Sequence, residues 1–139
     1  MIVLDTNVLS ETLRPRPDDR VMAWLASQSR AGLFTTAITR AEIFYGVGLL
    51  PDGSRRRELR TAVEAIFDED FAGRVLGFDS DAADVYATIA VARRNAGRPM
   101  SQFDAMIAAC ARSRGAALAT RNVKDFTDCE IAIIDPWAV

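Results

Sequence analysis

Apolar residues fall along this chain in two kinds of run. Short, nearly unbroken ones lie at 2–4, 33–38, 75–78, 116–120 and 131–134. Between them are longer stretches in which apolar positions recur every three to four residues. The short runs have no polar face, so each predicts a strand buried on both sides. The longer ones predict amphipathic helices. The first helix covers 8–13 and is stopped by Arg14-Pro15-Arg16-Pro17. The second, capped by Asp18 or Asp19, carries Val21, Met22, Trp24 and Leu25. A third opens at Thr39 in TRAEIFYGVGLL, and a fourth fills 54–67 after the Pro51-Asp52-Gly53 turn. The fifth covers 81–95 and stops at Gly97-Arg98-Pro99. The sixth starts at Ser101 and ends at Gly115. Asp135-Pro136 closes the last strand. Strands alternating with helices predict an α/β fold, a parallel sheet covered by helices on both sides.

Length and composition narrow the class. At 139 residues the expectation is one domain, 1–139, and half-hydrophobic, quarter-charged composition is that of a globular chain. No apolar run approaches the ~18–20 residues of a membrane span, and no signal peptide is evident. Cys110 and Cys129 lie in no metal-ligand spacing and read as reduced thiols, which predicts a cytoplasmic protein. Histidine is absent altogether. That excludes Ser-His-Asp and Cys-His nucleophilic machinery and leaves carboxylates, hydroxyls, arginine, or a metal on oxygen ligands. A net charge of −2 excludes a bulk-basic nucleic-acid binder, although Lys124 is the only lysine and every other basic residue is arginine.

Within that inventory, the placement of the acids is informative. In open α/β sheets ligands bind at the carboxyl ends of the strands. Asp5 ends the first strand, where either a site residue or a helix N-cap is expected. Thr39-Arg40-Ala41-Glu42 and Ser101-Gln102-Phe103-Asp104 each fit a capping box, which puts Glu42 and Asp104 in the first turns of their helices. Capping alone explains each of these two singly. If all three converge, however, their mutual repulsion calls for a hard divalent cation such as Mg²⁺. Asn122 and Asp125, just past the fourth strand, are further candidates, or members of a polar turn.

Four segments, LDTNVLSE, TRAEIFYGV, FDAMIAACARSRG and ATRNVKDF…IIDPW, together resemble PIN-domain ribonucleases. More narrowly, they resemble VapC-type toxins of type II toxin–antitoxin systems, in the FitB-like branch. The similarity runs from Met1 to Trp137. It implies a three-layer α/β/α sandwich whose parallel strands stand in the order 3-2-1-4-5. Asp5, Glu42 and Asp104 then hold Mg²⁺ or Mn²⁺, with Thr6 supplying the hydroxyl beside the first acid. The family's fourth acidic position falls near Asn122, an amide here, with Asp125 one turn on as the candidate substitute. A metal-dependent endoribonuclease acting on transfer RNA or a ribosomal RNA loop is implied. So are a VapB-type antitoxin that inhibits it and binds DNA, a homodimer, and a higher hetero-oligomer with that antitoxin. Backbone contacts to RNA are expected from Arg14, Arg16, Arg93, Arg94, Arg98 and Arg121. An exposed apolar face for assembly is expected from Phe44, Tyr45, Val47, Leu49 and Leu50. Two alternatives stand beside this reading: a PIN-like module that binds without cleaving, and a phospho-acceptor receiver domain using Asp79 and Lys124.

Overall fold

Five strands run parallel in one sheet: β1 (Ile2–Leu4), β2 (Leu33–Thr36), β3 (Val75–Leu76), β4 (Ala117–Ala119) and β5 (Ile133–Ile134). The computed structural model describes residues 1–139. The strand order is 3-2-1-4-5, as the resemblance implies. The first strand is therefore central: Ile2 pairs with Leu33 on one side and Ala117 on the other, and Val3 with Phe34 and Leu118. Successive strand residues point to opposite faces. Val3 lies in the core beneath one sheet face and Leu4 in the core beneath the other, and both are fully buried. That double burial is the physical cause of an apolar run without alternation.

Six helices cover the sheet: α1 (Thr6–Thr12), α2 (Asp19–Ser27), α3 (Ala37–Gly48), α4 (Ser54–Ala65), α5 (Ser80–Asn95) and α6 (Gln102–Ser113). One core joins Val3 and Leu118 to Ile89 of α5 and Ile107 of α6. The other joins Leu4 to Val8, Val21, Ile43 and Val63 of α1 to α4. Helices thus lie on both faces, giving the expected three layers. None of the helices is long and apolar enough to cross a membrane.

Several boundaries differ from the sequence reading: the third and fourth strands are shorter, at 75–76 and 117–119, and the first helix starts at Thr6, where Asp5 caps it. The second strand ends at Thr36, two residues before 38, because the Thr36 hydroxyl accepts the Thr39 N–H at 3.0 Å and starts α3 there. A side-chain cap overrides the β preference of Ile38. The fourth helix stops at Ala65 and passes into a wider turn, Ile66–Asp70, in which the Phe71 N–H bonds the Ile66 carbonyl. The last strand is only Ile133–Ile134, shorter than 131–134. The expected apolar face of α3 is also smaller than read. Tyr45 and Leu49 are exposed, but Val47 is in the core and the Phe44 ring packs 6.1 Å from that of Phe67.

Candidate active site

Asp5 follows β1, and its backbone N–H still pairs with the Ala119 carbonyl of β4 at 2.9 Å. Its carboxylate is the most buried of the acids here, at 4% exposure. Oδ1 accepts the Thr6 N–H at 2.8 Å and so caps α1. Oδ2 accepts the Thr120 hydroxyl at 2.8 Å and the Asn7 amide at 3.3 Å. Asn7 in turn bonds Thr120 Oγ at 3.2 Å and accepts the Arg121 N–H at 3.2 Å. The two readings of Asp5 are therefore compatible: the side chain caps a helix with one oxygen and is tied to the neighbouring strand end with the other.

Glu42 sits on the second turn of α3, not the first, because the helix begins at Ala37. The Thr39–Glu42 capping box does not form, and Thr36 does that work. Glu42 instead accepts the Thr6 hydroxyl at Oε1, at 2.8 Å, so Thr6 of the opening motif reaches across to α3. Asp104 lies in the first turn of α6 as expected, with its N–H bound to the Ser101 hydroxyl at 3.2 Å. Both Glu42 and Asp104 are half-buried.

The acids respond to one another electrostatically. Burial pushes Asp5 up to about 6, against the pull of its Thr120 and Thr6 hydrogen bonds, and the charges of Asp104 and Glu42 raise it further. Burial also raises Glu42, with Asp104 adding to the rise and Thr6 opposing it. Asp104 is raised by burial and by Asp125, and lowered by Ser101 and by the Arg93 guanidinium. Three acids from three separate elements thus share one field, and Asp125 borders it. Asp125 and Asn122 are exposed at the short turn Val123–Phe126, with the Asn122 N–H anchored on Thr120 Oγ at 3.1 Å.

No three of these side chains close on a point as a ready metal cage. The donor set nevertheless fits a hard cation. All three are carboxylates, burial and then neighbouring negative charge raise their affinity for protons, and an ion of the Mg²⁺ type keeps several waters while taking only one or two carboxylates directly.

Other expected residues fall elsewhere. Asp79 caps α5 by accepting the Ala82 N–H at 2.9 Å, and it lies beyond β3, the edge strand, with Arg114 3.5 Å away. A receiver-type acceptor beside Asp5 is therefore absent. Arg93 is buried at 5% exposure and spends its guanidinium on the carbonyls of Arg98, Asp125 and Thr127, so it does not face RNA. Arg14 pairs with Glu11 at 3.2 Å, Arg98 with Asp128, and Arg121 lies 5.2 Å from the centre of the Trp137 ring. The threonines Thr36, Thr39 and Thr120, each fully buried, emerge as supports of the acids. Their signal in the sequence was a hydroxyl at or just past the end of an otherwise apolar strand.

Comparison with known proteins agrees with this fold. A PIN-domain family model matches residues 2–129. Toxin FitB of Neisseria gonorrhoeae is 40% identical over 137 residues, 99% of both chains. VapC ribonuclease Y4jK of Sinorhizobium fredii is 39% identical, over 99% of this chain and 98% of its own. A tRNA(fMet)-specific endonuclease VapC of Shigella flexneri is 32% identical, over 89% of this chain and 88% of its own. Among solved structures, FitAB bound to an IR36 DNA fragment superposes with a TM-score of 0.94 at 40% identity, covering 100% of this chain and 97% of that one.

Proposed function

The chain belongs to the PIN-domain family, and on that premise we propose that Asp5, Glu42 and Asp104 form the site of an RNA endonuclease that serves as the toxin of a toxin–antitoxin pair. The observation that carries the site assignment is the convergence of these three acids from the end of β1, from α3 and from α6, each raised by burial and by at least one neighbouring carboxylate, in a chain without histidine. The residues call for a divalent cation, and Mg²⁺ or Mn²⁺ is the proposed one, held by Asp5 and Asp104 with Glu42 as a direct or water-mediated contact. Such a cation, when bound, supplies Lewis-acid stabilisation of charge on the scissile phosphate and activation of water.

The remaining steps belong to the chain. Asp5 is fixed from three directions by Thr6, Asn7 and Thr120, so its oxygens lose little freedom on binding. Thr6 pins Glu42 by Oε1. The attacking water is then oriented by Oε2, which also takes its proton, and the raised pKa of Glu42 makes it a stronger base there. Asn122 and Asp125 supply the fourth polar contact from the rim of the site. The substrate is RNA, with transfer RNA or a ribosomal RNA loop as the proposed target, and exposed arginines such as Arg16 and Arg94 meet its phosphates. The whole chain, 1–139, acts as one domain in the cytoplasm. It forms a homodimer and a larger complex with a DNA-binding antitoxin; the FitAB relative was solved bound to a DNA fragment.

Incubating the purified chain with transfer RNA and Mg²⁺ tests the proposal. Asp5→Asn and Glu42→Gln should each lower the cleavage rate by about a hundredfold or more. Wild-type cleavage by Asp5→Asn would remove Asp5 from the site.

A further inference from the structure

The hydroxyls around Glu42 form a chain whose direction is forced. A threonine hydroxyl has one proton to give. Thr6 gives its proton to Glu42 Oε1, at 2.8 Å. The 3.0 Å contact between Thr6 Oγ and Thr39 Oγ must then have Thr39 as the donor. With the Thr39 proton used, the 3.3 Å contact between Thr36 Oγ and Thr39 Oγ has Thr36 as the donor. Thr36 is itself held by the Thr39 N–H, which it accepts at 3.0 Å. The sequence therefore reads Thr36, Thr39, Thr6, Glu42, with every donor pointing towards the carboxylate. Thr36 and Thr39 are fully buried, so water does not compete for the bonds between them. Hydrogen bonds in such a series polarise one another and strengthen the last, charge-assisted link.

From this geometry we infer that Thr39, supported by Thr36, is a positioning residue that sets the orientation of the Glu42 carboxylate through Thr6. It spans two helices: Thr6 opens α1, whereas Thr36 caps the helix that bears Glu42. Removing the Thr39 hydroxyl frees Thr6 Oγ to rotate away from Oε1, so Glu42 samples several rotamers. The inference rests on Glu42 contributing to cation binding, and it extends that reading to residues that touch neither cation nor RNA.

The test is calorimetric titration of the full-length chain with Mn²⁺, without RNA. Partners that orient a metal-binding group are worth tenfold or more in metal affinity. Thr39→Val keeps the shape and removes the hydroxyl, and should weaken Mn²⁺ binding about tenfold. Thr39→Ser restores the hydroxyl and should return the affinity to near the wild-type value. In a Glu42→Gln background, Thr39→Val should add no further loss, because it acts through Glu42. A merely structural role for Thr39 would give the same loss in both backgrounds and would overturn the inference, as would wild-type affinity in Thr39→Val. If Glu42→Gln alone leaves Mn²⁺ affinity unchanged, the role of Glu42 falls, and the inference with it. A loss in Glu42→Gln beside an unaffected Thr39→Val sinks only the positioning role.

Discussion

At the scale of single residues, Asp5 works against the stability of the metal-free protein. The folded carboxyl holds its proton up to about pH 6, whereas an unfolded one releases it near 3.8. Between those values the folded state binds more protons than the unfolded state, so ionising Asp5 costs stability as pH rises through that window. The full cost, on the order of 2–3 kcal/mol, is present above pH 6. Asp5→Asn removes it, less whatever is lost when an amide replaces one of the oxygens that face Thr6 and Thr120. In EDTA the variant should therefore melt a few degrees above the wild type at pH 7, and the gap should shrink towards pH 4. Melting curves across that range decide the point: a gap that widens as pH falls has the wrong sign. Asp5 thus trades stability for charge, a trade that a cation held as proposed would offset.

At the scale of elements, helix ends and strand ends hold the site together. Arg93 of α5 shows the tension most clearly. Its guanidinium donates from Nε to the Arg98 carbonyl at 2.8 Å and from Nη1 to the Asp125 and Thr127 carbonyls at 2.9 and 3.0 Å. It therefore pins the segment that carries Asp125 against α5, and its charge lies close enough to lower the pKa of Asp104. Arg93→Met should take the guanidinium from those part-buried carbonyls and cost about 1–3 kcal/mol, read as a shift in the urea midpoint with unchanged slope. An unchanged midpoint would mean that the segment is held by other contacts. The sequence could not reveal this, since Arg93 and Arg94 are adjacent and identical in type while only the first is buried. What was legible followed from short-range rules. Unbroken apolar runs marked the strands, Ser101 marked the start of α6, and Asp5 marked the end of β1. What was misread depended on rival local signals. Ala37 and Ile38 looked like strand until Thr36 capped them, and that cap moved Glu42 from the first turn of its helix to the second. The links from Thr120 to Asp5 and from Thr6 to Glu42 join residues 115 and 36 positions apart, which no periodicity shows.

At the scale of the whole molecule, topology does what no local motif does. The order 3-2-1-4-5 sets the ends of β1 and β4 side by side, so Asp5 and Thr120 meet. To that point α3 and α6 add Glu42 and Asp104, whose charges reach Asp5. Each acid alone has an ordinary structural explanation, and only their convergence points to chemistry. Under the proposed function, this convergence makes a cation-dependent RNA-cleaving centre. The most direct measurement is the rate of RNA cleavage as Mg²⁺ or Mn²⁺ is added back after EDTA treatment, for the wild type and Asp104→Asn at equal fold content. The wild type should be inactive in EDTA and recover with added cation, while Asp104→Asn stays at least about a hundredfold slower at every concentration. Undiminished wild-type cleavage in EDTA, or an Asp104→Asn curve that overlays the wild type, would contradict the account.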